Sequence, residues 1–157
     1  MLSRTVTLGA FLLLAPLTLL AQGPRGTTST PPSAADSAGV RAAVQDYVDA
    51  IYLADTTLVL RSVRPELAKR GYWIPRDKTT YSTEPMTFAE LINTAKTWNP
   101  GRRRNPDSMV KEIRILDLLD QTASAKLTAQ WGVDYFHLAK YEGRWMIVNI
   151  LWQSSPR

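Results

Sequence analysis

The side chains best suited to chemistry gather near the end of the chain. Asp134, His137 and Asn149 stand there among aromatic and aliphatic residues, in the stretch WGVDYFHLAKYEGRWMIVNILW. A carboxylate in apolar surroundings has its charged form disfavoured, which raises its pKa and suits it to accept a proton. An amide nearby can orient a ligand carbonyl. The stretch divides at Glu142-Gly143, a dipeptide suited to a two-residue hairpin turn. Such a turn sets Tyr141 opposite Arg144, and stepping outward pairs Lys140 with Trp145, Leu138 with Ile147, Phe136 with Asn149 and Asp134 with Leu151. Paired residues share a face. One face then carries Asp134, Phe136, Leu138, Trp145, Ile147, Asn149 and Leu151, and the other Tyr135, His137, Met146, Ile150 and Trp152. The first has the composition of a pocket wall, a dense apolar set with two polar side chains in it. Asp134 is the candidate general base; the competing reading has it near the rim, held by a backbone amide or an arginine. Asn149 either orients a ligand or satisfies a buried backbone group. His137 lies at opposite parity from Asp134 along the same strand, so no Asp–His dyad forms, and its place beside Tyr135 and Met146 reads as packing or interface.

Other chemistries are excluded by composition. With no Cys and one His, a thiolate site, a cysteine nucleophile, a disulfide framework and a multi-histidine metal site cannot be built from one chain. No GxxxxGK or GxGxxG phosphate loop occurs, so no metal or cofactor is called for. The net charge of +5 is concentrated in residues 61–104. Lys69-Arg70 and the run Arg102, Arg103, Arg104 could meet an anionic ligand or a lipid headgroup at a pocket mouth, but a solvated basic surface accounts for them, and nucleic acid is not an expected partner.

The elements that must position these residues follow from periodicity. Val40, Val44, Tyr47, Val48 and Ile51 recur at helical spacing, predicting a helix over residues 37–53. Asp55 and Thr56 can cap a second, short helix that stops before Pro65. Strand-type residues on either side of Pro75-Arg76-Asp77-Lys78 suggest an early hairpin carrying Trp73. Thr87 with Glu90 is a capping box for a third helix, ended by Asn99-Pro100-Gly101. Four strands follow, over 109–118, 123–131, 134–141 and 144–152. This order of helix, helix, two short strands, helix and four long strands predicts an α+β fold. Tyr47, Ile51 and Trp73 would close the remaining pocket walls.

At the N-terminus, Arg4 precedes an apolar run of signal-peptide length, from Val6 to Leu20, too short for a membrane span. Residues 1–21 are expected to be a cleaved signal peptide, 22–35 a flexible Pro/Ser/Thr/Gly leader, and 36–157 a single domain. With no cysteine to carry a lipid, export to the periplasm or exterior without a stable membrane anchor is expected.

The element order, with AVQDYVDAIYLAD, VRPELAKRG, PMTFAEL and VDYFHLAKYEGRWMIVNILW, resembles the nuclear transport factor 2-like superfamily, and within it the branch named putative lumazine-binding proteins. The resemblance implies a cone-shaped, curved antiparallel sheet packed against about three helices, with an interior pocket and often a homodimer through the sheet. The leading functional reading is an exported, non-catalytic pocket protein for a small, partly apolar ligand, bound by Tyr47, Trp73, Asp134, Phe136 and Asn149. The alternatives are an isomerase- or dehydratase-type enzyme with Asp134 as base, and a dimeric assembly module whose pocket is filled. The homodimer is expected to bury the face holding Tyr135, His137, Ile150 and Trp152.

Overall fold

A computed structural model describes residues 31–155; the expected signal peptide and most of the leader lie outside them. Helix α1 (Ala34–Leu53) starts two residues before the expected domain edge, because Ser33 and Asp36 form a reciprocal capping box. Its stripe of Val40, Val44, Tyr47, Val48 and Ile51 is buried, as the spacing predicts. Asp55 caps α2 (Thr56–Ser62), which runs directly into strand β1 (Val63–Trp73). β1 and β2 (Ser82–Met86) form the early hairpin, though residues 74–81 all belong to its connection, longer than the turn over 75–78 read from the sequence, and α3 (Phe88–Thr97) opens on the Thr87/Glu90 capping box. The last third is β3 (Lys111–Leu118), β4 (Thr122–Ala129), β5 (Gly132–Tyr141) and β6 (Arg144–Ser154).

The six strands make one sheet in the order β2-β1-β6-β5-β4-β3. It is mixed rather than wholly antiparallel, because β1 joins β6 in parallel while every other pair is antiparallel. Parallel pairing needs a crossover, which α3 and the strands after it supply. α1 lies against the inner face and touches β3, β4 and β6. Gly39 lets it approach the sheet closely, since a Cβ there would stand 2.6 Å from Trp145 Cδ1. Phe136, Leu138, Trp145 and Ile147 fill this part of the core.

The β5–β6 turn is as read from Glu142-Gly143: both residues have positive φ, 49° and 80°, the type I′ requirement. Tyr141 pairs with Arg144 and Leu138 with Ile147, but His137 then pairs with Asn149. Val148 is an extra residue on β6, a β-bulge, and it reverses the facing of everything after it. Asp134, Phe136, Leu138, Trp145 and Ile147 face inward as expected. Asn149 and Leu151 face outward, and Ile150 and Trp152 inward, opposite to the expectation.

Candidate functional site

The inner face beyond the bulge is built in rows across the strands. Gly71, Trp152, Asp134 and Leu127 form one row, and Lys69, Ile150, Phe136 and Ala125 the next. β1 contributes Leu67, Lys69 and Gly71 to this face and leaves Ala68, Arg70 and Tyr72 exposed. A lysine on the inner side of a strand is costly unless it is paired. Lys69 reaches across β6 to Asp134 on β5, its Nζ 3.7 Å from Asp134 Oδ1, with side chains 6% and 0% exposed. They are the only charged side chains buried among the described residues.

Tyr47 of α1 completes the cluster. Lys69 Nζ donates to Tyr47 Oη at 2.5 Å, and Tyr47 Oη donates to Asp134 Oδ1 at 3.2 Å. The indole Nε1–H of Trp131, in the β4–β5 turn, donates to Asp134 Oδ2 at 2.6 Å. Both carboxylate oxygens are therefore engaged. Burial raises the pKa of Asp134, against the lowering pull of Lys69, Trp131 and Tyr47. Burial lowers that of Lys69, with Asp134 pulling the other way. Tyr47 is pushed well up, first by burial and then by the adjacent carboxylate.

A small cavity of about 110 Å³ opens over this cluster, lined by Tyr47, Ile51, Lys69, Met86, Thr94, Trp98, Trp131 and Trp152. Three tryptophans come from separate elements, and each is held. Tyr52 stacks on Trp98 and meets Trp131 edge-on, its hydroxyl bonded to Val110 O and Gln130 N. Buried Asn99 ties the residue after Trp98 to the backbone of Tyr52 and Arg104. Trp152 stacks on Trp73 at 11° and lies over Gly71, where a Cβ would stand 2.0 Å from its Nε1. Met86, Thr94 and Trp152 are shared with an adjoining outer cavity of about 380 Å³, lined also by Trp73, Glu84, Pro85, Glu90 and Asn93. Its volume is within the range usual for small-molecule sites, whereas the inner cavity alone is below it.

The residues singled out from the sequence are thus distributed. Tyr47 lines the inner cavity and Trp73 the outer one. Asp134 stands behind Tyr47 and Lys69 rather than on the cavity wall, so a ligand meets the lysine and the tyrosine instead of the carboxylate. Phe136 packs edge-on against Tyr47 at 5.1 Å, in the core below. Asn149 is not in the site: the bulge at Val148 turns it to the outer face, where it donates to Ala68 O. Ile150 and Trp152 are likewise removed from the expected dimer face, while Tyr135 and His137 remain exposed on it. Lys69 lines the inner cavity rather than the mouth surface, and no local sequence pattern marked it, since the inward positions Leu67, Lys69 and Gly71 do not alternate as apolar against polar. Arg102 donates to Leu53 O and Arg104 covers the face of Trp98 at 4.5 Å, so these two arginines brace the loop behind the cavity. Among the described residues no acidic or histidine cluster suits a metal ion, and no helix is long and apolar enough to cross a membrane.

Comparison with known families places this geometry. Residues 35–153 match the family model described as "Putative lumazine-binding". The chain belongs to that family. Solved structures with the same fold include a nuclear transport factor 2-like (NTF2-like) protein of unknown function from Methylobacillus flagellatus KT, 20% identical with a TM-score of 0.62, over 82% of this chain and 98% of that one. Another, from Shewanella baltica OS155, is 15% identical with a TM-score of 0.58, over 82% of this chain and 100% of that one. A third, from Silicibacter pomeroyi DSS-3, is 15% identical with a TM-score of 0.58, over 76% of this chain and 95% of that one. No curated protein matches the chain. At such identities the likeness is one of fold.

Proposed function

We propose that this family member is an exported, non-catalytic binder of a small, planar, partly apolar molecule, which it takes with a neutral hydrogen-bond acceptor directed at the Lys69 ammonium. The observation that carries this reading is the inner cavity, where aromatic walls surround one ammonium group. An ammonium has three N–H donors. The protein engages Nζ through one hydrogen bond to Tyr47 and one ion-pair contact with Asp134, too long for a hydrogen bond. A ligand acceptor in the cavity therefore finds a donor ready for it. The lysine already has its counterion, so a carboxylate ligand would leave the buried site with a net negative charge, whereas a carbonyl, amide or lactam would not. The placement of Asp134 behind the cavity wall disfavours a direct general-base role.

The test is a thermal-shift and tryptophan-fluorescence screen of neutral planar amides and lactams, each paired with its carboxylate counterpart, beginning with benzamide against benzoate. Lumazine, whose name the family carries, belongs in the panel as a planar molecule with carbonyl acceptors. Neutral members should raise the melting temperature and quench tryptophan emission more than their carboxylates. Equal response of both, or of neither, would refute the reading. Export rests on the apolar run before Ala21, and N-terminal sequencing of secreted or periplasmic material should begin within a few residues of Gln22. Recovery of Met1 in the membrane fraction would contradict it.

A further inference from the structure

We infer that Lys69 can hold a carbonyl ligand covalently, as a protonated imine, so that the pocket accepts aldehydes or ketones borne on a planar apolar group. This rests on the cavity being a ligand site and adds a bond-forming step to it. Two features set Lys69 apart from a lysine that merely completes a buried pair. Its side chain lines a cavity rather than being enclosed wholly by core. Tyr47 Oη also bridges it to the carboxylate, 2.5 Å from Nζ on one side and 3.2 Å from Asp134 Oδ1 on the other.

That bridge is a route for the proton an ammonium must lose before its nitrogen can attack. Tyr47 takes a proton from Nζ as it passes its own to Asp134 Oδ1, leaving a neutral amine and a protonated carboxyl. Burial favours this exchange by lowering the Lys69 pKa and raising that of Asp134. The nitrogen lone pair then forms the C–N bond while the carbonyl π electrons move to oxygen, and a proton shifts from nitrogen to that oxygen to give a carbinolamine. Asp134 returns its proton through Tyr47 to the carbinolamine hydroxyl. The C–O bond breaks, water departs, and the nitrogen lone pair closes the C=N bond. In sum, the lysine ammonium and the carbonyl compound give the protonated imine and one molecule of water. The positive charge ends where it began, beside Asp134, so the site need not accommodate any new charge.

The experiment exposes the folded protein to benzaldehyde with sodium cyanoborohydride at neutral pH, and follows adducts by intact mass and peptide mapping. Lys69 should be alkylated at least about tenfold faster than Lys78 or Lys96, and the Tyr47→Phe variant, with unchanged circular dichroism, should slow labelling at Lys69 by about tenfold or more, as loss of an acid–base relay does. Labelling of Lys69 no faster than of Lys78 overturns the inference, as does a Tyr47→Phe variant that labels at the wild-type rate. Benzamide binding, measured in parallel, separates the two levels. If benzamide quenches tryptophan emission but Lys69 is not labelled, covalent capture fails and the binding pocket stands. If neither occurs, both fail.

Discussion

Removing either partner of the Lys69–Asp134 pair should destabilise the fold strongly, and removing both should not. Breaking a buried pair from one side typically costs about 3–5 kcal/mol, since the other charge is left without compensation. In Lys69→Met, Asp134 keeps the Tyr47 and Trp131 donors and can protonate, which puts the loss near about 3 kcal/mol. In Asp134→Asn, the amide oxygen can accept from Tyr47 only by turning its NH2 toward the Trp131 Nε1–H, 2.6 Å from the carboxylate oxygen it replaces. Flipping the amide sets its NH2 against the Tyr47 hydroxyl, which still accepts from Lys69. One donor clash or the other remains, and the lysine loses its counterion, so about 4–5 kcal/mol is expected. With both changes, the amide oxygen accepts from Trp131 while its NH2 donates to Tyr47 Oη, now free of Lys69. The double variant should therefore lose only about 1–2 kcal/mol, giving a coupling energy of about 5 kcal/mol or more. Urea unfolding followed by circular dichroism measures this, with the m-value checked for constancy. The Arg61–Asp46 pair is an internal control: its arginine side chain is 61% exposed, and its coupling should stay below about 1 kcal/mol. Single variants within about 1 kcal/mol of wild type, or a double variant whose loss is the sum of the singles, would refute the reasoning.

Three further outcomes are expected. Gly71→Ala should dislodge Trp152 from its stack on Trp73, costing about 1–3 kcal/mol by overpacking and weakening benzamide binding, which unfolding and fluorescence titrations check together. Asp36 is held well below the usual carboxylate range by Lys140, then Ser33 and Trp145, so its contribution is complete above its unfolded pKa of about 4 and is lost as pH falls below that toward the native value. The stability gap between wild type and Asp36→Asn should accordingly narrow from pH 5 to pH 3, and a constant gap would contradict this assignment. If the homodimer forms through the outer face, Leu151 and Tyr135 rather than Ile150 and Trp152 are exposed to carry it, so Leu151→Asp should give monomers in sedimentation while a monomeric wild type would remove the proposal.

Much of the scaffold was legible because its signals are local. The α1 stripe, the Thr87/Glu90 box, the Glu142-Gly143 turn and the opposed parity of Asp134 and His137 each depend on a few adjacent residues. The bulge at Val148 left no such mark. In Trp-Met-Ile-Val-Asn-Ile-Leu-Trp nearly every side chain suits either face of a strand, so one inserted residue carries no compositional signal, yet it exchanged Asn149 for Trp152 in the site. Lys69 was obscured for a different reason. The inward positions of β1 hold a cation and a glycine, which inverts the usual apolar alternation, and the partner that makes the cation tolerable lies across a parallel pairing far along the chain.

The five tryptophans provide the most direct test that the cavity over Lys69 binds a ligand. In an indole ¹⁵N–¹H correlation spectrum titrated with benzamide, Trp98, Trp131 and Trp152 should shift together and saturate. Trp145, whose Nε1 is bound to Asp36 away from the cavity, should stay fixed. Five unmoved indoles at saturating benzamide, or a Trp145 shift as large as that of Trp131, would contradict the assignment of the site.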